Sequence, residues 1–215
     1  MCKDFCGKPL LAWSIEQAKS AKTVSSVWVS SDSDEILDVA KQFGAGIIRR
    51  PDEISNDSAS SEAAWLHASS VLEKQDISVD VVLGIQATSP IRNTYDFDEA
   101  LKYFELNHYD SLFSCTELND FLFWKQDKEG NYYSCNYDYK LRGRRQGRDS
   151  QYLENGSFYL FKPEILKKHN NRLGGVIGVY EMDFWKSFQI DDLEEFHFCE
   201  ILMRHYILEK GNTGF

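Results

Sequence analysis

Three short polar segments of this 215-residue chain contain residue types that could bind and transform a small molecule. Gln86-Ala87-Thr88-Ser89-Pro90 ends in a proline, which stops the hydrogen-bond ladder of a sheet. Glu154-Asn155-Gly156 leads into an apolar run that contains Tyr159. The third segment is a basic run that contains Arg142, Arg144, Arg145 and Arg148. Open α/β sheets bind ligands beside their strand ends, so these segments together indicate a site for an anionic sugar and a nucleotide.

The basic run is unusual because the chain carries a formal net charge of -10. Four arginines close together repel one another, and guanidinium groups match carboxylates and phosphates in bidentate geometry. We therefore favour anion binding over the alternative, a solvated charged loop. The same acidic balance argues against a general nucleic-acid or membrane-surface function, because a negative surface repels phosphate-rich polymers.

Two further segments each admit a structural and a functional interpretation. Gln86 is predicted at the carboxyl end of a buried strand, where its amide needs partners, but Ser-Pro turn chemistry explains the segment equally well. Residues 50–61 lie between a predicted strand and a predicted helix, where exposed N–H groups and small hydroxyls suit a phosphate, a ribose or a base edge. An ordinary loop with a helix cap is the favoured interpretation there.

Two acidic residues, Asp191 and Asp192, follow a predicted short strand over residues 188–190. Their carboxylates could hold a divalent cation, which prefers hard oxygen ligands, or could cap the last helix. Capping alone is favoured for Asp192.

Alternating helix and strand patterns must position these groups. Apolar periodicity predicts helices over residues 9–21, 58–74 and 193–209, a helix capped by Asp32 that stops at Gly44, a helix capped by Thr94, and a short helix after Pro163. Apolar runs predict strands over residues 26–30, 46–49, 79–85, 110–115, 157–161 and 176–181, of which 79–85 is typical of a strand buried on both faces. Repeated β-then-α units favour one α/β domain over residues 1–215 with a doubly wound, mostly parallel sheet.

The pattern changes over residues 120–150, where aromatic residues alternate with polar ones around Asp127-Lys128-Glu129-Gly130. This alternation predicts a hairpin, inserted into the domain, that stands off the main sheet. An isolated hairpin is marginally stable in water, so we expect a dimerisation arm and a homodimer. The arm would carry the basic run toward the pocket of the neighbouring subunit.

Composition predicts an intracellular, cytoplasmic protein. No apolar run approaches the roughly 18 to 20 residues that span a bilayer, and the N-terminus lacks the apolar core of a signal peptide. The five cysteines are an odd number without the paired spacing of a zinc site, which favours reduced thiols.

The order and spacing of these pieces resemble the acylneuraminate cytidylyltransferases, or CMP-sialic acid synthetases, and their relatives that act on other eight-carbon or nine-carbon 2-keto acids. The resemblance runs from about Lys3 to Glu209 and rests on Gly7-Lys8-Pro9-Leu10, Val29-Ser30-Ser31-Asp32, Arg50-Pro51 with Asp57, Gln86-Ala87-Thr88-Ser89-Pro90, Arg145-Gln146, Glu154-Asn155-Gly156 and Ile190-Asp191. It implies a Rossmann-like nucleotidyltransferase that joins CMP from CTP to the anomeric hydroxyl of the sugar acid, releases pyrophosphate and uses Mg²⁺.

The resemblance also implies a role for each candidate site residue. Arg145 would hold the carboxylate of the sugar acid. The implied roles are nucleotide binding for Arg50, Ala59 and Ser61, sugar binding for Gln86, Arg145, Tyr159, Arg142 and Asn155, metal binding for Asp191, and catalysis for Asp191 and Arg145.

Two departures from the family pattern bear on activity. The family opens with a strand and a triphosphate-binding loop that ends in Lys-Asn just before the stretch matching residues 5–10, whereas this chain starts at Met1 and has Asp4 in the Asn position. We therefore expect an N-terminally incomplete domain, in which central strands carry unpaired backbone groups. The second departure is Gln189, which stands where the family usually has a second metal-binding aspartate.

Two other functions stay open. A non-catalytic homologue would keep the sugar pocket or the dimer surface without holding the triphosphate. A related nucleotidyltransferase would use another base or another 2-keto sugar acid. Pyrophosphate release measured with CTP or GTP and a panel of sugar acids separates these alternatives.

Overall fold

The computed structural model of the protein describes residues 1–56, 59–118, 121–141 and 150–209. The α-helices are α1 (Leu10–Ser20), α2 (Asp34–Gln42), α3 (Ser61–Glu73), α4 (Thr94–Leu106), α5 (Pro163–His169) and α6 (Leu193–Leu202). The strands are β1 (Asp4–Phe5), β2 (Lys8–Pro9), β3 (Trp28–Ser31), β4 (Gly46–Arg49), β5 (Val82–Ile85), β6 (Ser111–Glu117), β7 (Trp124–Gln126), β8 (Tyr132–Ser134), β9 (Tyr152–Phe161) and β10 (Ile177–Glu181). Short 3-10 helices cover Asp52–Ile54 and Phe184–Ser187, and a π-helical segment, Met203–Leu208, continues α6.

Two helix caps lie one residue away from their predicted positions. Ser33 caps α2, because its hydroxyl accepts from an N–H of the first turn at 3.5 Å, while the Asp32 carboxylate pairs with an arginine instead. Asn93 precedes α4 and donates its N–H to the Asp96 carboxylate at 2.7 Å, so the cap predicted at Thr94 is wrong. Asp96 reaches back to Asn93 because it lies at the third helical position, the spacing of a capping box.

The main sheet has four strands in the order β10-β6-β9-β5, and β3 and β4 form a separate parallel pair. Strands β10 and β6 run parallel, whereas β9 runs antiparallel to both β6 and β5. Helices α1 and α4 pack on one face of the sheet, and α3 and α5 pack on the other. The predicted α/β class with helices on both faces is therefore confirmed, and β9 makes the sheet mixed.

The side chains of β9 alternate between these two layers, as the pleat of a strand requires. Phe158 and Leu160 join the core cluster formed with α1 and α4. Tyr159 and Phe161 point to the opposite layer, where they pack with Trp65 of α3. The alternation decides which β9 residues can reach a site on either face.

A cavity of about 960 Å³ is lined by β3, β5 and α3. Among the described residues, β3 pairs with β4 alone and β5 pairs with β9 alone, so each strand turns one edge toward this space. The strand predicted over residues 79–85 is β5, and it packs on both faces: Leu83 and Ile85 contact the core cluster formed with α1 and α4, and Val82 contacts the cluster formed with α3 and α5. These three side chains are nevertheless only half-buried, because no other strand in the described ranges covers the free edge of β5.

The segment around Asp127 forms the predicted hairpin, in which β7 and β8 pair antiparallel. The Asp127 carboxylate accepts from the N–H groups of Glu129 and Asn131, at 3.0 and 2.8 Å, and so closes the turn. Aromatic side chains of the hairpin are open to solvent, with Trp124 46% and Tyr132 69% exposed. The hairpin thus presents an apolar surface, and dimerisation through it stays a prediction.

Within the described part of the chain, every helix is too short or too polar to cross a membrane. The five cysteines are free thiols, as the sequence predicts. Cys115 and Cys199 are buried, and burial raises the pKa of each thiol to about 12.

Candidate functional site

Four residues singled out from the sequence line the cavity between β3 and β5: Arg50, Ser61, Gln86 and Asp191. They reach it from separate parts of the chain, because β4, β5 and the connection to α6 all end there and α3 begins there. Gln86 and Arg50 directly follow the carboxyl ends of β5 and β4, and strand carboxyl ends are the usual location of ligand sites in α/β sheets. Ser30, which also lines the cavity, has a buried hydroxyl without a hydrogen-bond partner among the described residues.

Arg50 follows β4 and is held in place by three hydrogen bonds. Its N–H donates to the Ser31 carbonyl at 3.0 Å, its Nε donates to the Ser55 hydroxyl at 3.0 Å, and its Nη2 lies 3.3 Å from the Asp32 carboxylate. Hydrogen bonds from the backbone and from Arg50 lower the pKa of Asp32. The guanidinium keeps further N–H groups for a ligand, since Arg has five donors.

The loop before α3 contains one helix cap and one residue of the cavity wall. Ser60 caps α3, because its hydroxyl accepts from the Ala63 N–H at 3.2 Å, so the capping interpretation of this loop is correct for Ser60. Ser61 lines the cavity, whereas Ala59 is not among the lining residues. Asp57 lies outside the described residues.

Gln86 and Gln189 meet over a glycine. Gly156 has a φ of +64°, and a Cβ placed on it would lie 2.8 Å from the Gln86 Oε1 and 3.0 Å from the Gln189 Oε1. Only glycine allows two side-chain amides to come this close to the backbone at a positive φ. Both glutamines line the cavity, and neither carboxamide has a hydrogen-bond partner among the described residues, so the pair can bind a ligand.

The segment over residues 188–191 is held beside the Gln86 loop without forming the strand predicted there. One backbone bond, from the Ile190 N–H to the Thr88 carbonyl at 2.9 Å, fixes its position. A single bond is too few for a strand, so that prediction is wrong, but the contact brings Gln189 and Asp191 to the cavity.

The two acidic residues after this segment have different environments. Asp192 caps α6 in a capping box with Glu195, whose N–H donates to the Asp192 Oδ1 at 2.9 Å. Asp191 is exposed, lines the cavity, and its carboxylate has no hydrogen bond or ion pair with another described residue. No group of three or more His, Cys, Asp or Glu residues suited to a metal ion occurs in the described ranges. A Mg²⁺ ion held by one carboxylate and by substrate phosphates is compatible with this sparse arrangement.

Asn155 and Tyr159 do not line the cavity. Asn155 is 1% exposed, and its Oδ1 accepts from the Ser114 hydroxyl at 2.6 Å and from the Ser157 N–H at 3.1 Å. It therefore supports the backbone beside Gly156. Tyr159 faces the other layer of the sheet, where its hydroxyl donates to the Glu154 carboxylate, and burial raises the pKa of Tyr159. Alternation along β9 places it there, away from Gln86.

Arg142 and Arg145 lie outside the described residues, as does the rest of the basic run. Sequence reasoning missed a different arginine, Arg92, which is 0% exposed and donates hydrogen bonds to the carbonyls of Gln86, Ser89 and Ser157. The only signal for Arg92 in the sequence is its position two residues after Pro90. A charged residue in a loop is ordinarily expected at the protein surface, so the sequence does not indicate that Arg92 is buried.

Comparison with known proteins agrees with these observations. The profile of a family described as "Cytidylyltransferase" matches residues 2–213. N-acylneuraminate cytidylyltransferase A of Danio rerio is 36% identical over 192 residues, which cover 88% of this chain and 43% of that protein. Pseudaminic acid cytidylyltransferase of Campylobacter jejuni is 30% identical over 212 residues, which cover 94% of this chain and 88% of that protein. This chain thus spans less than half the length of the fish relative.

A solved structure shares the fold. CMP:2-keto-3-deoxy-manno-octonic acid synthetase complexed with CTP matches with a TM-score of 0.67 and 14% identity. The match covers 96% of this chain and 92% of that one. At this identity the likeness shows the fold alone.

Proposed function

The chain belongs to the cytidylyltransferase family, and on that premise we propose that it transfers CMP from CTP to the anomeric hydroxyl of a sialic-acid-like 2-keto sugar acid. The observation that carries the proposal is the convergence of Arg50, Ser61, Gln86 and Asp191 on one cavity of about 960 Å³. A cavity of this size is within the usual range of small-molecule sites, roughly 300 to 1,000 Å³. The names of the two relatives favour an acidic nine-carbon sugar, either N-acylneuraminate or pseudaminic acid.

The reaction needs positioning more than covalent catalysis by the protein. The anomeric oxygen forms a bond to the α-phosphorus of CTP, the bond from that phosphorus to the bridging oxygen breaks, and pyrophosphate leaves. The proton of the hydroxyl passes to solvent or to a nearby base. In this proposal Arg50 and Ser61 hold the nucleotide, and Gln86 orients the sugar acid so that its hydroxyl lies in line with the leaving group.

Charge neutralisation is the second requirement, because negative charge accumulates on the phosphate oxygens. Asp191 is the described residue that would hold Mg²⁺, which supplies positive charge to those oxygens when it is bound. Gln189 contributes an uncharged carboxamide beside it, so the protein offers one carboxylate rather than two. The family resemblance implies that Arg145 binds the carboxylate of the sugar acid.

The exposed hairpin supports the proposal of a homodimer. Its aromatic residues, among them Trp124 and Tyr132, would be covered by the partner subunit. The free thiols agree with a cytoplasmic location, where cysteines stay reduced.

The test is a pyrophosphate-release assay with CTP or GTP and a panel of 2-keto sugar acids, followed by isolation of the CMP-linked sugar. Release with CTP and a nine-carbon acid is the expected result. The matched comparison is a Gln86→Leu protein, in which a side chain of similar size cannot form hydrogen bonds to the sugar acid. Binding of the sugar acid without pyrophosphate release would instead indicate a non-catalytic homologue, and release with another base would overturn the choice of CTP.

A further inference from the structure

Arg92 lies in the chain between β5 and α4, and its guanidinium bonds to the backbone of Gln86. Its side chain is 0% exposed, and the guanidinium stacks 5.5 Å from the centre of the Phe97 ring. Its hydrogen-bond acceptors are Gln17 Oε1 at 3.0 Å, Ser14 Oγ at 2.5 Å, Ser89 O at 2.5 Å, Ser157 O at 2.9 Å, Ser157 Oγ at 3.2 Å and Gln86 O at 3.4 Å.

All of these acceptors are neutral oxygens. The Asp96 carboxylate, whose charge acts on Arg92, bonds to Lys186 at 2.9 Å and forms its ion pair there. Burial lowers the pKa of Arg92 to about 9. A buried guanidinium without a carboxylate partner is costly, because its desolvation is offset only by hydrogen bonds to dipoles. Such an arrangement points to a role beyond packing.

The carbonyls that Arg92 binds belong to the backbone that carries the site. The Gln86 and Ser89 carbonyls are in the loop after β5, and the Ser157 carbonyl follows Gly156 in β9. The Gln86 N–H also donates to the Ser157 carbonyl, at 3.3 Å. One planar group therefore ties the Gln86 loop to the β9 backbone beside Gly156, the glycine over which the two carboxamides meet.

Gln17 of α1 completes the arrangement from the other side. Its Nε2 donates to the Pro90 and Arg92 carbonyls, at 3.0 Å each, while its Oε1 accepts from the Arg92 Nε. The side chain of Arg92 is thus fixed at both ends, which is the condition for holding other groups with little freedom.

We propose that Arg92 is a positioning residue that holds the Gln86 loop against Gly156 and so sets the geometry of the sugar-acid site. The inference rests on the proposed function, because it assigns the carboxamide pair to the sugar acid. Arg92 touches neither substrate in this arrangement. Lysine cannot replace it, since one ammonium head group cannot reach carbonyls on two segments in the way a planar fork does.

The experiment compares Arg92→Lys with Leu166→Ala, a variant in the opposite layer of the sheet that loses a fully buried side chain away from the cavity. Melting temperature, the KM values for the sugar acid and for CTP, and hydrogen exchange of the Gln86, Ser89 and Ser157 amides are measured for each protein. Gln17→Leu, which removes one support of Arg92 and keeps its charge, is the milder variant if Arg92→Lys does not fold.

We expect Arg92→Lys to raise the KM for the sugar acid about tenfold, the loss of roughly one hydrogen bond, and to change the KM for CTP less than twofold. Exchange at the Gln86, Ser89 and Ser157 amides should increase at the same time. Leu166→Ala should lower the melting temperature with neither effect, and Gln17→Leu should act like Arg92→Lys but more weakly.

Two results would overturn the inference. One is an equal rise in both KM values, and the other is unchanged exchange at the three amides in Arg92→Lys. If the wild-type protein transfers CMP to no sugar acid, the proposed function fails, and the exchange measurement still decides whether Arg92 holds the loop.

Discussion

Replacing Gly156 with alanine should weaken the binding of the sugar acid and leave the binding of CTP almost unchanged. The added Cβ would lie 2.8 Å from the Gln86 Oε1 and 3.0 and 3.1 Å from the two terminal atoms of the Gln189 amide, so both side chains must move. The φ of +64° adds backbone strain of about 1 to 2 kcal/mol for any residue with a Cβ. That strain corresponds to a fall in melting temperature of roughly 2 to 8 °C in a chain of this size.

The effect on ligand binding follows from the two displaced carboxamides. A hydrogen bond contributes about 0.5 to 1.5 kcal/mol, so losing both gives about 1 to 3 kcal/mol, or roughly 5- to 150-fold in Kd for the sugar acid. Calorimetric titration with the sugar acid and with CTP measures the change, and the affinity for CTP should stay within twofold. Gly130→Ala is the matched control, because Gly130 also has a positive φ, of +89°, but its Cβ would meet only the Gln126 amide at 3.8 Å. Equal sugar affinity in both variants would refute the assignment of the carboxamide pair.

Three other predictions concern stability and assembly. Lys186→Met leaves the 2%-exposed Asp96 carboxylate without its ion-pair partner. We expect urea unfolding to show a loss of about 3 to 5 kcal/mol in the free energy of unfolding. An unchanged urea midpoint would contradict a stabilising ion pair. Hydrogen bonds from Lys162 and from a backbone N–H lower the pKa of Asp110 below 3.8, so its stabilisation is present above about pH 3.8 and is lost as the pH falls. The stability difference between wild type and Asp110→Asn should therefore shrink below that pH, and a constant difference would be inconsistent with this account. Trp124→Ser in the hairpin should convert a dimer to a monomer in light scattering. A wild-type monomer with full affinity for the sugar acid would rule out dimerisation through the hairpin.

The elements of the fold follow from local patterns in the sequence. The apolar run with period 3.6 in α1 and the turn chemistry around Asp127 and Gly130 act over a few residues, so they predict a helix and a hairpin correctly. The caps of α2 and α4 differ by one residue, because Ser33 and Asn93 compete with adjacent capping residues for the same N–H groups. Such competition is decided by geometry that a sequence does not display.

The site was only partly predictable for a different reason. Gln86 could be placed because it directly follows an apolar strand, and Asp191 reaches the same cavity although the strand predicted before it does not form. Tyr159 could not, because its side of the sheet depends on the register of β9 with two neighbours. Arg92 was missed because a buried guanidinium is stable only where carbonyls from distant segments converge on it. That convergence exists in three dimensions alone.

The central claim is that one cavity holds a nucleotide at Arg50 and a sugar acid at Gln86. The most direct measurement is a calorimetric titration of CTP and of the sugar acid into Arg50→Ala and Gln86→Leu proteins. We predict that Arg50→Ala weakens the binding of CTP by about 1.5 to 3 kcal/mol, the value of a charged hydrogen bond, and that Gln86→Leu weakens the binding of the sugar acid by about 0.5 to 1.5 kcal/mol. Wild-type affinity for both ligands in both folded variants would contradict the central claim.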